Sequence, residues 1–178
     1  MKLLSCLLTV ILLNQALLGN DTTIQKSSAA VATVKEDNGG ITLPDGFRAV
    51  VVADNLGGAR HLVVTNKGNV YVKMDRARDD RGIIYLQDTN GDGVADNTSA
   101  FGNYGGTGIF IKNGYLYASS NSEVFRYKMN DRGEVINKDQ PEKLVTGLID
   151  RREHNTKSIA LDNAGNIYVN IGAYVGEG

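Results

Sequence analysis

The sequence predicts an all-β protein, a β-propeller of four-stranded antiparallel blades, on three observations. The first is composition: 178 residues carry 21 glycines, 8 tyrosines, 2 prolines and no tryptophan. With few long helical patterns, that favours many short strands joined by tight turns. The second is an internal repeat. The segments "HLVVTNKGNVYVKM" (61–74) and "SIALDNAGNIYVNIG" (158–172) align without a gap when Gly68-Asn69 is set on Gly165-Asn166. "GIFIKNGYLYASS" (108–120) lies between them and repeats the pattern with a turn one residue shorter. The copies begin about 47 to 50 residues apart, a period typical of propellers and other repeat arrays. The third is that each complete copy leads into a long apolar segment and then a shorter one, which brings each unit to four strands.

Taken in order, residues 1–20, "MKLLSCLLTVILLNQALLGN", place Lys2 before an apolar run, the pattern of a secretory signal peptide. An uncleaved membrane anchor is the alternative, although the run is short for a span. Cys6 precedes most of the apolar run, so lipidation is discarded, and a cleaved chain would hold no cysteine and no disulfide framework. Export to the periplasm or the extracellular space is expected, with no stable membrane span after cleavage. Residues 21–40 are small and polar without a sustained period, and read as a linker. The folded domain is expected from Ile41 onward, where Pro44-Asp45-Gly46 makes a turn into a β-rich run, "FRAVVVA" (47–53).

In the first unit the copied hairpin is followed by "GIIYLQD" (82–88) and "SAFGN" (99–103). In the second it is followed by "EVFRYKMN" (123–130) and "EKLVTG" (142–147). Apolar positions are dense in these strands, as expected of blades packed face to face. A β-sandwich with accidentally similar hairpins is the alternative, but sandwiches rarely show a regular long period. Two units and one further hairpin do not close a propeller, which needs at least four blades. The chain therefore reads as the N-terminal part of a longer protein.

"DTNGDGVADN" (88–97) spaces Asp88, Asn90, Asp92 and Asp96 much as a calcium loop spaces its early ligands. The twelfth position holds Ser99 instead of a bidentate Glu, and the flanks are strands. A helix–loop–helix site is therefore excluded, and a hairpin turn is favoured over a looser calcium loop. The second unit carries "MNDRGEVINKDQ" at the same place, without the spaced carboxylates. A net charge of −1 with dispersed Lys and Arg argues against a nucleic-acid partner.

The two histidines, His61 and His154, both stand at the entrance to the first strand of a unit, where innermost strands would line a central channel. His154 lies in the polar run "RREHNTKSIALD" beside Glu153. Neutral imidazole there would suit proton abstraction from an alcohol, while a surface histidine in a charged loop is the plain alternative. Arg60 and Lys157 occupy equivalent repeat positions and are candidates to bind an anionic cofactor or substrate, or to cap strand ends. No nucleophile motif, Cys/His metal cluster, phosphate loop or dinucleotide fingerprint is present, and "GGTG" (105–108) reads as a loop.

"ITLPDGFRAVVVADNLGGAR", "GIIYLQDTNGDGVAD" and "EHNTKSIALDNAGNIYVNIGA" together resemble the opening blades of the soluble quinoprotein sugar dehydrogenases of the glucose/sorbosone type. The resemblance runs from about Ile41 to the end of the chain. It implies a six-bladed, exported propeller that oxidises a sugar hydroxyl with pyrroloquinoline quinone (PQQ) and calcium. It further implies His154 as general base, and Arg60 and Lys157 as quinone or substrate contacts. Most cofactor ligands and the calcium ligands would lie in later blades, so this chain alone is expected to be inactive. Two features depart from better-known glucose-oxidising members: Glu153 stands where they carry Asp, and the loop from His154 to the strand is one residue shorter. A calcium-dependent lactonase and a non-enzymatic binding propeller are the rival readings.

Overall fold

The computed structural model describes residues 37–150 and 156–172. The signal peptide expected at 1–20, most of the 21–40 linker, Glu153 and His154 lie outside the described residues. Ten strands and no helix occur among the described residues, which makes the protein all-β. No helix there is long and apolar enough to cross a membrane.

The first blade is an antiparallel sheet in the order β1 (Ala59–Val64), β2 (Val70–Met74), β3 (Ile83–Gln87), β4 (Asn97–Phe101). The second has the same order in β5 (Ile109–Lys112), β6 (Tyr115–Ser119), β7 (Val124–Lys128) and β8 (Glu142–Val145). A third hairpin joins β9 (Ile159–Leu161) to β10 (Ile167–Val169). Each strand overlaps a segment that the repeat designates, with β1 and β4 beginning two residues before theirs. The innermost strands are neighbours in turn, β1 beside β5 and β5 beside β9, which is the radial arrangement of propeller blades. The protein is a partial β-propeller.

Turn chemistry fixes the hairpins. The short β5–β6 turn places Asn113 at φ 49° and Gly114 at φ 76°, the left-handed pair that a two-residue type I′ turn requires. The β1–β2 turn is longer because Thr65 closes it: its carbonyl accepts from Gly68 N, and its Oγ1 accepts from Asn69 N at 3.1 Å.

Both faces of a blade are buried, which explains strands too apolar for simple alternation. In β2, Tyr71 faces the second blade and joins Ile83, Tyr85 and Phe101 against Ile109, Leu116, Phe125 and Tyr127. Ring edges interlock there: Phe101 and Tyr127 lie 5.1 Å apart at 71°, and Tyr104 stacks on Phe125 at 4.4 Å. Val72, Met74, Ile84 and Leu86 form the opposite face and pack with Ala53 and Leu56. Tyr117 and Val124 of the second blade pack on Ile159 and Leu161 of the third hairpin.

The run 47–53 corrects the sequence reading, because it forms no strand. Phe47 N bonds Pro44 O at 3.2 Å, so the expected turn is present. Beyond it the backbone makes only scattered bonds, Val51 N to Asp37 O and Ala95 N to Val52 O, and no ladder. β-propensity alone does not make a strand without a parallel or antiparallel partner. Here the segment serves as an irregular strap whose Ala53 and Leu56 cover one blade face.

Candidate functional site

Up-and-down strands send alternate connections to opposite ends of a blade. One end therefore collects the chain entering β1, the β2–β3 and β6–β7 connections, and the crossovers from β4 to β5 and from β8 to β9. Arg60, His61 and Lys157 all belong to this end, at the head of the innermost strands.

Arg60 sits at a β-bulge. Ala59 pairs with Met74 and His61 with Lys73, so the register slips across Arg60. Bulges occur where a strand end must re-aim a side chain. Arg60 is exposed and has no ion-pair partner among the described residues. Lys157 holds the equivalent repeat position but is buried, at 1% exposure. The two cations that align in the sequence are thus placed differently, one open to solvent and one beneath the rim.

A chain of hydrogen bonds joins the three innermost strands along this rim. His61 Nδ1 lies 3.2 Å from the carbonyl oxygen of Thr107 in the first crossover. The next residue, Gly108, donates its N–H to Ser119 Oγ at 3.0 Å, and that hydroxyl donates onward to the Lys157 carbonyl. Gly108 cannot carry a side chain, since a Cβ would meet Ser119 Oγ and stand 2.6 Å from the Lys157 oxygen. The Thr107 hydroxyl is buried with no partner among the described residues.

The sequence reading missed the residues that hold the crossovers in place. Lys73 is fully buried, yet no carboxylate among the described residues pairs with it. Its Nζ donates to the carbonyls of Tyr104 at 2.7 Å and Gly82 at 3.2 Å, and lies 4.3 Å from the centre of the Tyr104 ring. Burial pulls its amine from 10.5 down to about 7. Ser119 occupies the same place in the second blade: Lys73 pairs with the first residue of β3, and Ser119 with the first of β7. The third hairpin has Asn170 there, whose Oδ1 accepts from Ser158 N. In each copy a polar side chain in an apolar strand catches crossover backbone. The signal was available in the repeat alignment as three polar residues, Lys73, Ser119 and Asn170, in otherwise apolar company.

The 88–97 loop is self-satisfied, in line with the hairpin reading. The Asp88 carboxylate accepts from Gly91 N at 2.6 Å and Gly93 N at 2.8 Å, while Asp92 Oδ1 accepts from Val94 N. Asp96 accepts from both the amide and hydroxyl of Thr89. Bonding to Gly93 N–H, then to neighbouring amides, holds Asp88 below the usual carboxylate range. The carboxylates of Asp88 and Asp92 thus close the loop as a turn through backbone amides. Among the described residues no group of three or more His, Cys, Asp or Glu could hold a metal.

Two grooves flank this architecture. One of about 430 Å³ lies at the crossover end, lined by Asp75, Arg76, Tyr104, Ser120, Glu123 and Asp150. A larger one, about 560 Å³, lies at the opposite end among the β1–β2, β5–β6 and β7–β8 turns, away from Arg60 and His61. Size therefore does not mark the site here; the chemistry gathers at the rim.

A partial propeller with basic and imidazole groups at the crossover end of its inner strands is the class that fold and site define. Residues 41–176 match the TrAA12-like family, and the chain belongs to it. Nothing among curated proteins matches the sequence. Solved structures share the fold. The holo form of the PQQ domain of pyranose dehydrogenase from Coprinopsis cinerea is similar at 20% identity, with a TM-score of 0.60, over 74% of this chain and 32% of that one. The iodide and calcium structures of a Trichoderma reesei protein of Carbohydrate-Active Enzymes family AA12 each give 21% identity and a TM-score of 0.55. They cover 68% of this chain, and 32% and 31% of those chains. The chain spans about a third of the length of these structures.

Proposed function

We propose that these blades belong to an exported quinone-dependent oxidoreductase that oxidises a sugar hydroxyl, of the glucose/sorbosone dehydrogenase type. The family match over 41–176 carries this reading, supported by the likeness to a pyranose dehydrogenase PQQ domain. The donor set fits PQQ, which is an anion bearing carboxylates. Arg60 offers an exposed guanidinium, unpaired among the described residues, at the head of an inner strand. Lys157, its equivalent in the repeat, lies buried beneath the same rim and is the second candidate contact.

When bound, the quinone supplies the two-electron redox chemistry, with calcium as its companion ion and ligands outside this chain. The chain's own residues do the rest. Arg60 binds a carboxylate, and the crossovers pinned by Lys73 and Ser119 keep the rim in one geometry. His154, seven residues along the β8–β9 crossover after Gly147, takes the proton from the sugar hydroxyl, with Glu153 to orient it. The partner is a small sugar, with export set by the signal at 1–20.

The test is reconstitution of the full-length protein with PQQ and calcium, followed by dye reduction over a panel of aldoses. His154→Ala is expected to lower kcat by ~10²-fold or more while PQQ still binds. An unchanged kcat would remove His154 as the base, and no quinone-dependent oxidation of any sugar would remove the reading itself.

A further inference from the structure

His61 is a polar group at the rim that this reading leaves without a role. Its ring is exposed, and Nδ1 faces the Thr107 carbonyl at 3.2 Å. A carbonyl oxygen only accepts, so Nδ1 carries the hydrogen and donates it. In the neutral ring the lone pair is then confined to Nε2, which has no partner among the described residues. Thr107 is itself held in place, because the adjoining Gly108 is locked to Ser119 and Lys157. The bulge at Arg60 immediately precedes this residue in the chain, and both residues are exposed at the head of the innermost strand. A tautomer fixed by backbone, with its acceptor nitrogen on an exposed ring, is an arrangement that receives a hydroxyl.

We infer that His61 is a substrate-binding residue: its Nε2 accepts a hydrogen bond from a ring hydroxyl of the sugar other than the one oxidised, and so helps select the sugar. This rests on the sugar-oxidising reading above. A single hydrogen bond of this kind is at stake, so its loss is expected to raise KM by about 2- to 13-fold.

Three substitutions in the full-length holoenzyme separate binding from structure. Glutamine sets its side-chain oxygen near the place of Nε2, whereas asparagine sets its amide near Nδ1 and can still donate to Thr107. Binding predicts that His61→Ala and His61→Asn raise KM for the preferred sugar with kcat little changed, and that His61→Gln restores most of the loss. For a deoxysugar lacking the bonded hydroxyl, wild type and His61→Ala should have the same KM. A purely structural role predicts the reverse, rescue by asparagine with a lowered melting temperature in His61→Ala. That pattern, or an unaltered KM for every sugar in all three variants, overturns the assignment. If the wild-type holoenzyme oxidises no sugar, calorimetric titration of sugars into wild type and His61→Ala decides the matter. Tighter binding to wild type sustains the role of His61 without the redox reading, and equal or absent binding overturns both.

Discussion

Replacing Lys73 by methionine tests whether an unpaired buried amine holds the first crossover. The side chain has no measurable exposure, and its Nζ rests on the Tyr104 and Gly82 carbonyls and over the Tyr104 ring. In the unfolded chain the amine keeps its proton up to its ordinary 10.5; in the folded protein burial brings that to about 7. Between those limits the unfolded state binds more protons, so stability rises with pH. The cost of burying the charge is fully present below about 7 and disappears as pH climbs towards 10.5. The ceiling on that rise is ~1.4 kcal/mol per pH unit, or ~2–3 kcal/mol between pH 7 and 9. The two carbonyls and the aromatic face favour the charged form, so the measured rise should sit below the ceiling, at about 1–2 kcal/mol. Methionine fills similar volume and does not titrate. Urea unfolding of wild type and Lys73→Met at pH 6, 7, 8 and 9, at constant salt, isolates this group, because other titrations cancel in the difference. The wild type is expected to gain on the variant as pH rises. Parallel stability profiles across pH 7–9 would refute the account of a desolvated amine.

Two further substitutions probe how the blades are joined. Tyr71→Phe removes a buried hydroxyl that donates to Gly133 O and accepts from Val135 N, both at 2.9 Å, and so ties the first blade to the β7–β8 connection of the second. The two backbone groups left unpaired should cost about 2–4 kcal/mol, read as a lower urea midpoint, and a midpoint unchanged from wild type would contradict it. Gly108→Ala drives a Cβ into the Lys157 carbonyl and Ser119 Oγ, for an expected loss of about 1–3 kcal/mol, with faster amide exchange at residue 108 as the rim bond to Ser119 opens. Full stability in that variant would mean that the rim is not close-packed.

The sequence by itself determined the all-β class, the blade period and the order and approximate position of the strands from β1 to β10. These are local properties: turn pairs such as Asn113-Gly114 and apolar runs of strand length recur at a fixed spacing, whatever packs against them. It also placed Arg60, His61 and Lys157 at one end, since chain direction alone sends alternate connections to opposite ends. The tertiary structure decided what composition cannot encode. The run 47–53 has strand-forming residues but no adjacent strand, so it becomes a strap. Arg60 and Lys157 are equivalent in the repeat, yet one is exposed and the other buried, because a residue's environment depends on the neighbouring blade and on a one-residue bulge. The acidic spacing of 88–97 folds into a turn in which Asp88 accepts backbone amides from across the loop. Lys73, an ordinary lysine in sequence, becomes the clasp of a crossover only when Tyr104, 31 residues on, is brought above it. Spacing along a chain sets which strands form; which polar group is left free to meet a ligand depends on contacts between distant residues.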